Sequence, residues 1–399
     1  MRYVDKLFGI REVIMDVDDS RQYPRIAMEV ILSTGLVMGL GRMGSLNAVE
    51  QVKIGEYARR WIGGRKLPSA DTMGRGFSQM GNRFFRRATR QVYTRLKRNK
   101  ALKPAHGGKI ALIVDGHEQH SSKLRCCSGC LKRTLHTNKG DVEEYYHRFV
   151  MASLLCEGVC LPLDMEPQQP GEDEVACAMR LLERLFEEYP RAFELILADG
   201  LYARAPFFKL AMQHGKHVIA VLKDERRDLL KDAEGLFSKE KPKVYQHGPM
   251  TRQCWDLEHF TTWTQLGCEA RVVRSLERTE VKRQKTGQLE YEDSDWFWVT
   301  TIPKAELSAE DVIKFGHGRW RIENNGFHEL VNEWCADHLY RHDPAAMEAF
   351  WRLTMLVYIL FHAFIERNLK IVFREKHTKK HLAQMIAADC YRTESYIPL

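Results

Sequence analysis

Two short apolar runs, each followed by an aspartate and a glycine, most constrain the fold of this chain. They read KIALIVDG at residues 109–116 and FELILADG at residues 193–200. A run of this length, bounded by turn residues, is typical of a strand buried in the middle of a sheet. We therefore expect Asp115 and Asp199 at the ends of adjacent central strands, where carboxylates that bind a metal ion are well placed.

A third acidic residue lies in residues 315–334, FGHGRWRIENNGFHELVNEW, which predict a helix. Apolar residues recur there at three- and four-residue steps and predict a packed face: Trp320, Phe327, Leu330, Val331 and Trp334. Polar residues fall on other faces and can present chemistry: Arg319, Glu323, Asn324 and His328. The sequence thus predicts a helix that packs on one side and carries Glu323 on another.

The segments around the two aspartates alternate between the hydrophobic pattern of a strand and that of a helix. After residues 109–116, residues 145–156 and 159–164 predict a hairpin, and residues 172–189 predict a helix with an apolar stripe. The strand ending at Asp199, a helix at 205–214 and a strand at 217–222 follow. The order β-β-β-α-β-α-β predicts an α/β (α+β) fold with an RNase H-like mixed sheet and helices on both faces.

These features together resemble the DDE transposases of bacterial insertion sequences, a cut-and-paste group with an RNase H-like core and a β-strand insertion before the glutamate. The resemblance rests on Asp115, Asp199 and the RWRIE segment that carries Glu323, and it covers residues 109–370. It implies four regions: a helical DNA-binding domain at 1–105, the first part of the core at 106–223, the insertion at 224–303, and the rest of the core at 304–399.

The resemblance also implies the chemistry. Two Mg²⁺ ions, with Mn²⁺ as a substitute, would be held by Asp115, Asp199 and Glu323, with Asp115 bridging both ions. The substrate would be double-stranded DNA, as terminal inverted repeats and target DNA. The active species would be a homodimer or larger, since both transposon ends must be held together.

Other residues near Glu323 are candidates for DNA contacts. In that family the glutamate helix commonly carries a tyrosine, an arginine and a lysine at the positions of Gly316, Arg319 and Leu330, and only the arginine is kept. Arg319 is predicted to contact a phosphate, with a structural salt bridge as the alternative. Arg321, Asn324 and His328 are further candidates.

Two acidic residues compete with the predicted triad. Glu329 lies six residues after Glu323, nearly 240 degrees around an α-helix by about 100 degrees per residue, so the two cannot face one metal pair. Glu118 follows Asp115 closely and is a candidate for a supporting role.

Basic residues are unevenly distributed. The chain has 61 Lys and Arg against 53 Asp and Glu, a formal charge of +8, which is a mild bias towards polyanions. Residues 81–103 hold nine basic residues and no acidic ones, a pattern that favours phosphate contacts over a solvated helix face. The candidates for these contacts are Arg86, Arg87, Arg90 and Arg95. Before them, LPSADTMGRGFSQM predicts a helix starting at Ser69, either as part of a helix-turn-helix or as part of an ordinary helical bundle.

The predicted insertion carries an aromatic pair. RQCWDLEHFTTW, EARVVRSLER and DWFWVTTI predict strands between residues 224 and 303. Trp296 and Trp298 lie two residues apart on one strand and so share a face. They either stack on an unpaired DNA base or pack in the core.

Cysteines and apolar runs bear on location. Ten cysteines without secretory context favour reduced thiols. No apolar run is expected to reach the roughly 20 residues that span a membrane. We therefore expect a cytoplasmic protein that associates with the nucleoid when bound to DNA. Cys126, Cys127 and Cys130 form a cluster. With His117, His120, His136 or His147 they either bind zinc or serve as small apolar side chains in a hairpin.

Two other classes of function remain open. An RNase H-like nuclease would cut DNA without joining it. A domesticated, non-catalytic protein would bind DNA through residues 1–105, although the complete acidic set argues against that class.

Overall fold

The computed structural model describes residues 2–51, 54–63, 66–157, 159–223, 226–320 and 322–391. Within these ranges one sheet of ten strands forms the centre of the protein. The strands are β1 (Ala111–Ser122), β2 (Leu131–Thr137), β3 (Gly140–Cys156), β4 (Val159–Pro167), β5 (Leu195–Ala198), β6 (His217–Val221), β7 (Lys243–His247), β8 (Met250–Phe260), β9 (Ala270–Lys282) and β10 (Leu289–Thr300).

The first half of the sheet has the predicted RNase H-like arrangement. β4 pairs with β3 and β3 with β1, both antiparallel, and β1, β5 and β6 then run parallel. Residues of β1 and β5 are almost completely buried where the two strands pair, from Ala111 to Ile113 and from Leu195 to Leu197. This burial on both faces explains the continuous apolar runs in the sequence. The predicted fold class is confirmed.

The second half of the sheet continues from β6. β10 pairs with β6 through Trp298, Val299 and Thr300, and β9, β8 and β7 follow in antiparallel order. The predicted strands at 224–303 are therefore present, and they extend the central sheet. The boundaries at 105, 223 and 303 stay predictions.

The sequence analysis missed several elements, among them the helix α10 (Arg227–Phe237), the short helix α14 (Ile371–Glu375) and the strands β2 and β7. The helix α10 precedes β7, and its stripe of Leu229, Ala233 and Phe237 at four-residue steps was the available signal. The strand β2 is largely exposed, so only a weak alternation marked it in the sequence.

Helices cover the sheet and form the N-terminal region. They are α1 (Arg2–Phe8), α2 (Ile10–Met15), α3 (Met28–Leu40), α4 (Leu46–Gln51), α5 (Glu56–Trp61), α6 (Ala70–Gln79), α7 (Arg83–Arg98), α8 (Glu174–Glu188), α9 (Ala205–Gln213), α11 (Ala309–Gly318), α12 (His328–Trp334), α13 (Pro344–Asn368), α14 (Ile371–Glu375) and α15 (Lys379–Tyr391). The predicted start of α6 is confirmed, because the Ser69 hydroxyl accepts a hydrogen bond from the backbone N–H of Thr72 at 3.3 Å.

The long helix α13 is the centre of the helical part. Its length and composition would allow it to cross a membrane, so the expectation that no segment reaches that length was wrong. However, 89% of its most apolar stretch is buried inside the protein. Its apolar residues pack on all sides against the protein's own helices and sheet, which is the role of a core helix.

The N-terminal helices pack directly on α13. Phe77 of α6 and Phe350 of α13 have ring centroids 4.3 Å apart. Gly39 of α3 lets α13 approach so closely that a Cβ atom there would lie 2.7 Å from Val357 Cγ2. The N-terminal helices therefore share one apolar core with the C-terminal region.

A buried ionic network joins these layers. Asp164 on β4 is 2% exposed and forms ion pairs with three arginines: Arg352 of α13, Arg184 of α8 and Arg86 of α7. Burial alone would raise the pKa of Asp164, but the three guanidinium groups outweigh burial and lower it. One carboxylate thus links a strand to three helices that are far apart in the chain.

We expect Asp164→Asn to lower the free energy of unfolding by about 3 kcal/mol at pH 7, because it leaves the buried Arg352 guanidinium without its main counter-charge. A group with a lowered folded-state pKa stabilises above its unfolded pKa and loses that contribution as the pH falls. The difference in the free energy of unfolding between Asp164→Asn and wild type should therefore become smaller only below about pH 4, where a free aspartate is protonated.

Urea unfolding followed across this pH range measures both effects. Asp141→Asn is the matched control, since Asp141 pairs with His136 on the surface with 65% of its side chain exposed. The control should stay within about 0.5 kcal/mol of wild type. Equal stabilities of Asp164→Asn and wild type at pH 7 would contradict the stabilising role of the network.

Candidate active site

Asp115 and Asp199 lie side by side on the central strands. Ile113 of β1 pairs with Leu197 of β5, and each aspartate follows two residues later on its strand. Because neighbouring strands are about 4.8 Å apart, the parallel register brings the two carboxylates to one level of the sheet.

Only Asp199 follows the end of a strand. β5 ends at Ala198, and the Asp199 side chain accepts a hydrogen bond from the backbone N–H of Gly200 at 2.7 Å. In contrast, β1 continues through Asp115 to Ser122, because β3 remains its partner on the other side and pairs Met151 with Asp115. The prediction that Asp115 closes a strand was wrong, although the pairing with β5 does stop before it.

Glu323 lies in a helical segment of another kind than predicted. The expected continuous helix at 315–334 is replaced by the last residues of α11, a π-helix at Ile322–Phe327, and α12. Phe327, Leu330 and Trp334 pack as predicted, but Trp320 is 39% exposed. A π-helix turns by a smaller angle per residue than an α-helix and is frequent at functional sites.

Arg319 connects the two parts of the site. Its Nη1 atom donates to Asp115 Oδ2 at 2.9 Å and to Glu323 Oε1 at 2.8 Å. The Arg319 side chain is 6% exposed, whereas the Glu323 side chain is 49% exposed. A buried guanidinium therefore holds one carboxylate from the sheet and one from the π-helix against each other.

The two aspartates differ in electrostatic environment. Burial raises the pKa of Asp115 to about 7, Arg319 opposes this rise, and the negative charges of Glu323 and Glu174 add to it. Burial also raises the pKa of Asp199, but the Gly200 N–H, Lys223 and Arg319 outweigh it, so the pKa of Asp199 is lowered. Lys223 Nζ lies 3.3 Å from Asp199 Oδ1.

The donor set fits divalent cations that prefer oxygen. Asp115, Asp199 and Glu323 present only carboxylate oxygens, and Glu323 and Glu174 place further negative charge near Asp115, which Arg319 opposes. A bound cation would favour the ionised form of Asp115 and release its proton.

The sequence analysis missed Glu174 and Lys223. Glu174, in the first turn of α8, accepts from the Tyr202 hydroxyl at 2.7 Å and from Arg148 Nη1 at 2.9 Å. Its carboxyl group lies so close to Gly116 that a Cβ atom there would be 2.5 Å from it. In the sequence Glu174 looks like any acidic residue at a helix start, so the glycine after Asp115 was the only available signal.

The two competing acids are engaged elsewhere. Glu329 Oε1 lies 2.9 Å from His362 Nε2 of α13, and Trp334 Nε1 donates to it at 3.5 Å. Glu118 forms a two-pronged ion pair with Arg133, at 2.7 and 2.8 Å. Neither carboxylate faces Asp115, so the geometry favours Glu323 as the third acid.

The predicted contacts of α7 divide into two groups. Arg86 is turned inward to Asp164 and Glu166, and its side chain is 26% exposed, so it serves the buried network and is poorly placed for a phosphate. Arg87 pairs with Asp16 on the surface. Arg90 and Arg95 are exposed.

Of the candidates beside Glu323, His328 is exposed at the start of α12. Arg321 and the side chain of Asn324 lie outside the described part of the chain. The alternative given for Arg319, an ion pair, is present in the structure.

The aromatic pair lies between the sheet and α11. Trp298 is 1% exposed, and a Cβ atom at Gly316 would lie 2.2 Å from its Nε1 atom. This close packing explains why a tyrosine cannot stand at Gly316 in this chain. Trp296 is half-buried, stacks on Trp298 at a centroid distance of 6.1 Å, and meets the exposed Trp320 edge-on at 5.1 Å. Trp298 is thus a core residue, and only Trp296 remains a candidate for base stacking.

Two comparisons with known proteins found similarities. The family described as "Transposase DDE domain" matches residues 106–360, which include all three acids. The chain is also similar to a piggyBac transposase determined by cryo-EM in a synaptic complex with hairpin DNA, at 11% identity and a TM-score of 0.43, over 97% of this chain and 77% of that chain. A search of curated proteins found no match. Because the family covers more than half of the sequence, the chain belongs to the transposases with a DDE domain.

Proposed function

We propose that this transposase binds the terminal inverted repeats of an insertion sequence and catalyses cut-and-paste transposition with Asp115, Asp199 and Glu323. The observation that carries the proposal is the convergence of these acids. Two of them lie at one level of adjacent strands, and Arg319 joins the third to Asp115. Acids from three separate parts of the sequence are thus brought towards one edge of the sheet, which supports the proposal.

In this proposal the three carboxylates hold two Mg²⁺ ions, or Mn²⁺ as a substitute. When bound, such a pair activates a water or hydroxyl nucleophile and stabilises the leaving oxygen of the phosphodiester. Asp115 follows the segment of β1 that pairs with β5 and shares Arg319 with Glu323, so it would hold the ions together with the other two acids. Glu323 is half exposed on the π-helix, so its carboxylate is accessible to an ion from solvent.

The basic residues at the site hold and orient the groups around them. Arg319 is buried and keeps Asp115 and Glu323 together, so its first role is to position ligands, and its positive charge also favours an incoming phosphate. Lys223 is exposed beside Asp199 and is well placed to contact the DNA backbone.

Asp115→Asn, Asp199→Asn and Glu323→Gln are each expected to lower the rate of strand cleavage at least about a hundredfold, the scale for losing one key electrostatic group of a site. DNA affinity should change little, because phosphate contacts and not the acids supply it. The measurement is nicking of DNA that carries the inverted repeats flanking the gene, with Mg²⁺ or Mn²⁺.

Glu118→Gln is the control for this series, since Glu118 lies on the same strand as Asp115 but pairs with Arg133. It should cleave at the wild-type rate. If any of the three variants cleaves like wild type while circular dichroism shows a folded protein, that residue is not part of the triad. Strand-transfer products in the same reaction distinguish a transposase from a nuclease that only cuts.

We also propose that α7 contributes phosphate contacts through its exposed arginines, Arg90 and Arg95. Reversing both charges should weaken binding to the repeats and reduce the slope of log affinity against log salt by about 1.8, since each lost contact removes about 0.9. A salt titration of binding measures the slope.

The control carries the same change of charge at a distant place. Lys239 and Lys241 are exposed in the turn between α10 and β7, and Lys239→Glu with Lys241→Glu should leave the slope unchanged. A wild-type slope for the α7 variant would show that Arg90 and Arg95 do not contact phosphates.

We propose finally that the active species is at least a dimer, because cut-and-paste transposition must couple breaks at both ends. The apolar residues of α13 are buried in their own chain, so the interface lies elsewhere. Mixing Glu323→Gln protein with the Arg90/Arg95 variant should restore part of the cleavage if one protomer binds an end that another cuts. Full cleavage of an isolated end by a monomer at high dilution would contradict this proposal.

A further inference from the structure

A second cluster of possible metal ligands lies apart from the acidic site. It consists of Cys127, Cys130, His147 and His342, whose ligand atoms all lie within 4.8 Å of one another. The sulfur atoms are 3.6 Å apart, His147 Nε2 lies 3.2 Å from Cys127 Sγ and 3.3 Å from Cys130 Sγ, and His342 Nε2 lies 3.8 Å from Cys130 Sγ. Three separate segments supply these four groups.

The spacing fits one tetrahedral ion. With zinc–sulfur bonds of about 2.3 Å and zinc–nitrogen bonds of about 2.0–2.1 Å, tetrahedral angles put two sulfurs about 3.8 Å apart and a sulfur and a nitrogen about 3.6 Å apart. The observed distances scatter around these values by a few tenths of an ångström. The cluster therefore needs little movement to bind an ion.

Hydrogen bonds hold this cluster together only weakly. Cys130 Sγ contacts the Cys127 sulfur and two imidazole nitrogens at once, and a thiol is a weak donor and a weak acceptor. The Cys127 backbone N–H also points at Cys130 Sγ, at 3.2 Å, a contact that stabilises a thiolate. The separation of the two sulfurs is far beyond that of a disulfide, about 2.05 Å.

The fold holds the four groups in place from different directions. Cys127 and Cys130 lie in the turn between β1 and β2, closed by a hydrogen bond from the Cys130 N–H to the Cys127 carbonyl at 3.2 Å. His147 lies on β3, and His342 directly precedes α13. The turn packs so closely on α13 that a Cβ atom at Gly129 would lie 3.0 Å from Pro344 Cγ.

We propose that Cys127, Cys130, His147 and His342 bind a structural Zn²⁺ ion. Two thiolates and two imidazoles suit zinc, whereas Mg²⁺ prefers the carboxylates of the active site, so the two sites select different metals. Four protein ligands leave no open position, which makes the zinc site structural rather than catalytic. His120 lies beside the zinc site without belonging to the ligand set, and its ring centroid is 5.8 Å from that of His342.

The ion would fasten the chain that follows the Glu323 segment. His342 ends the stretch between α12 and α13, and within that stretch Asp337 lies 3.0 Å from His117 Nε2 on β1. The His117 ring in turn stacks on Phe327 of the π-helix at 4.6 Å. Zinc would thereby fasten the stretch that follows α12 to the turn between β1 and β2 and to β3.

The structure separates the histidines that the sequence placed with the CxxC pair. Of the histidines considered with the CxxC pair, His147 joins the cluster. His117 pairs with Asp337, and His136 pairs with Asp141. His342 was missed because it lies 212 residues beyond Cys130, and only the packing of α13 against the turn brings them together.

The test is the metal content of the full-length chain, purified with reductant from medium that contains zinc. Elemental analysis should find about one zinc ion per chain, as for a closed four-ligand site. Replacement by Co²⁺ should produce the intense visible bands of tetrahedral cobalt and a thiolate-to-cobalt charge-transfer band. These two measurements use the wild-type chain and do not depend on how any variant folds.

Variants assign the ligands. Cys127→Ser combined with Cys130→Ser should lose at least about nine-tenths of the bound zinc, while His342→Ala should release it faster to a chelator. Cys126→Ser is the matched control, because Cys126 is exposed and adjacent to the cluster without belonging to it, and it should keep its zinc.

Absence of zinc from the reduced wild-type chain, together with no cobalt spectrum, would overturn the proposal. A disulfide between Cys127 and Cys130 in the reduced preparation, detected by mass spectrometry, would do the same. Loss of zinc in the control alone would show that the ligand set is wrong. Mg²⁺-dependent cleavage is a separate readout, so failure here leaves the proposed transposase function to its own tests.

Discussion

The buried charge of Asp164 is the interaction on which the arrangement of this protein depends. A carboxylate that is 2% exposed can stay ionised only if opposite charges surround it, and Arg352, Arg184 and Arg86 come from three different helices to do so. Because guanidinium groups have fixed geometry, they set the positions of α13, α8 and α7 relative to β4. The apolar contacts between these helices supply most of the stability, while the charges specify the arrangement.

Aromatic packing connects α13 to the candidate active site. Trp351, next to Arg352, packs on Phe149 of β3 at 4.5 Å and on His117 of β1 at 5.4 Å. His117 then stacks on Phe327 in the π-helix. His362 of α13 holds Glu329 away from the acids. The contacts of α13 thus reach β1, β3 and Glu329 beside the candidate active site.

The residues of the site show how the same side-chain type takes different roles. Asp115, Asp199 and Asp164 are all wholly or partly buried, but Asp164 is paired with arginines, and Asp199 is stabilised by an N–H and a lysine, so the pKa of each is lowered. Burial raises the pKa of Asp115 instead, and Arg319 opposes that rise only in part.

The sequence by itself determined the central strands and most of the helices, because burial on both faces of a strand and on one face of a helix leaves periodic patterns that are local in the chain. It indicated Asp115, Asp199 and Glu323 as candidate ligands through their places in these elements and through the family resemblance. It also indicated the bias of α7 towards basic residues, but not that Arg86 turns inward to Asp164. The tertiary structure alone decided the π-helix at Glu323, the burial of Trp298 against Gly316, the place of Glu174 and the approach of His342 to the CxxC turn. Each of these depends on contacts between residues far apart in the chain, and such contacts leave no periodic signal in the sequence.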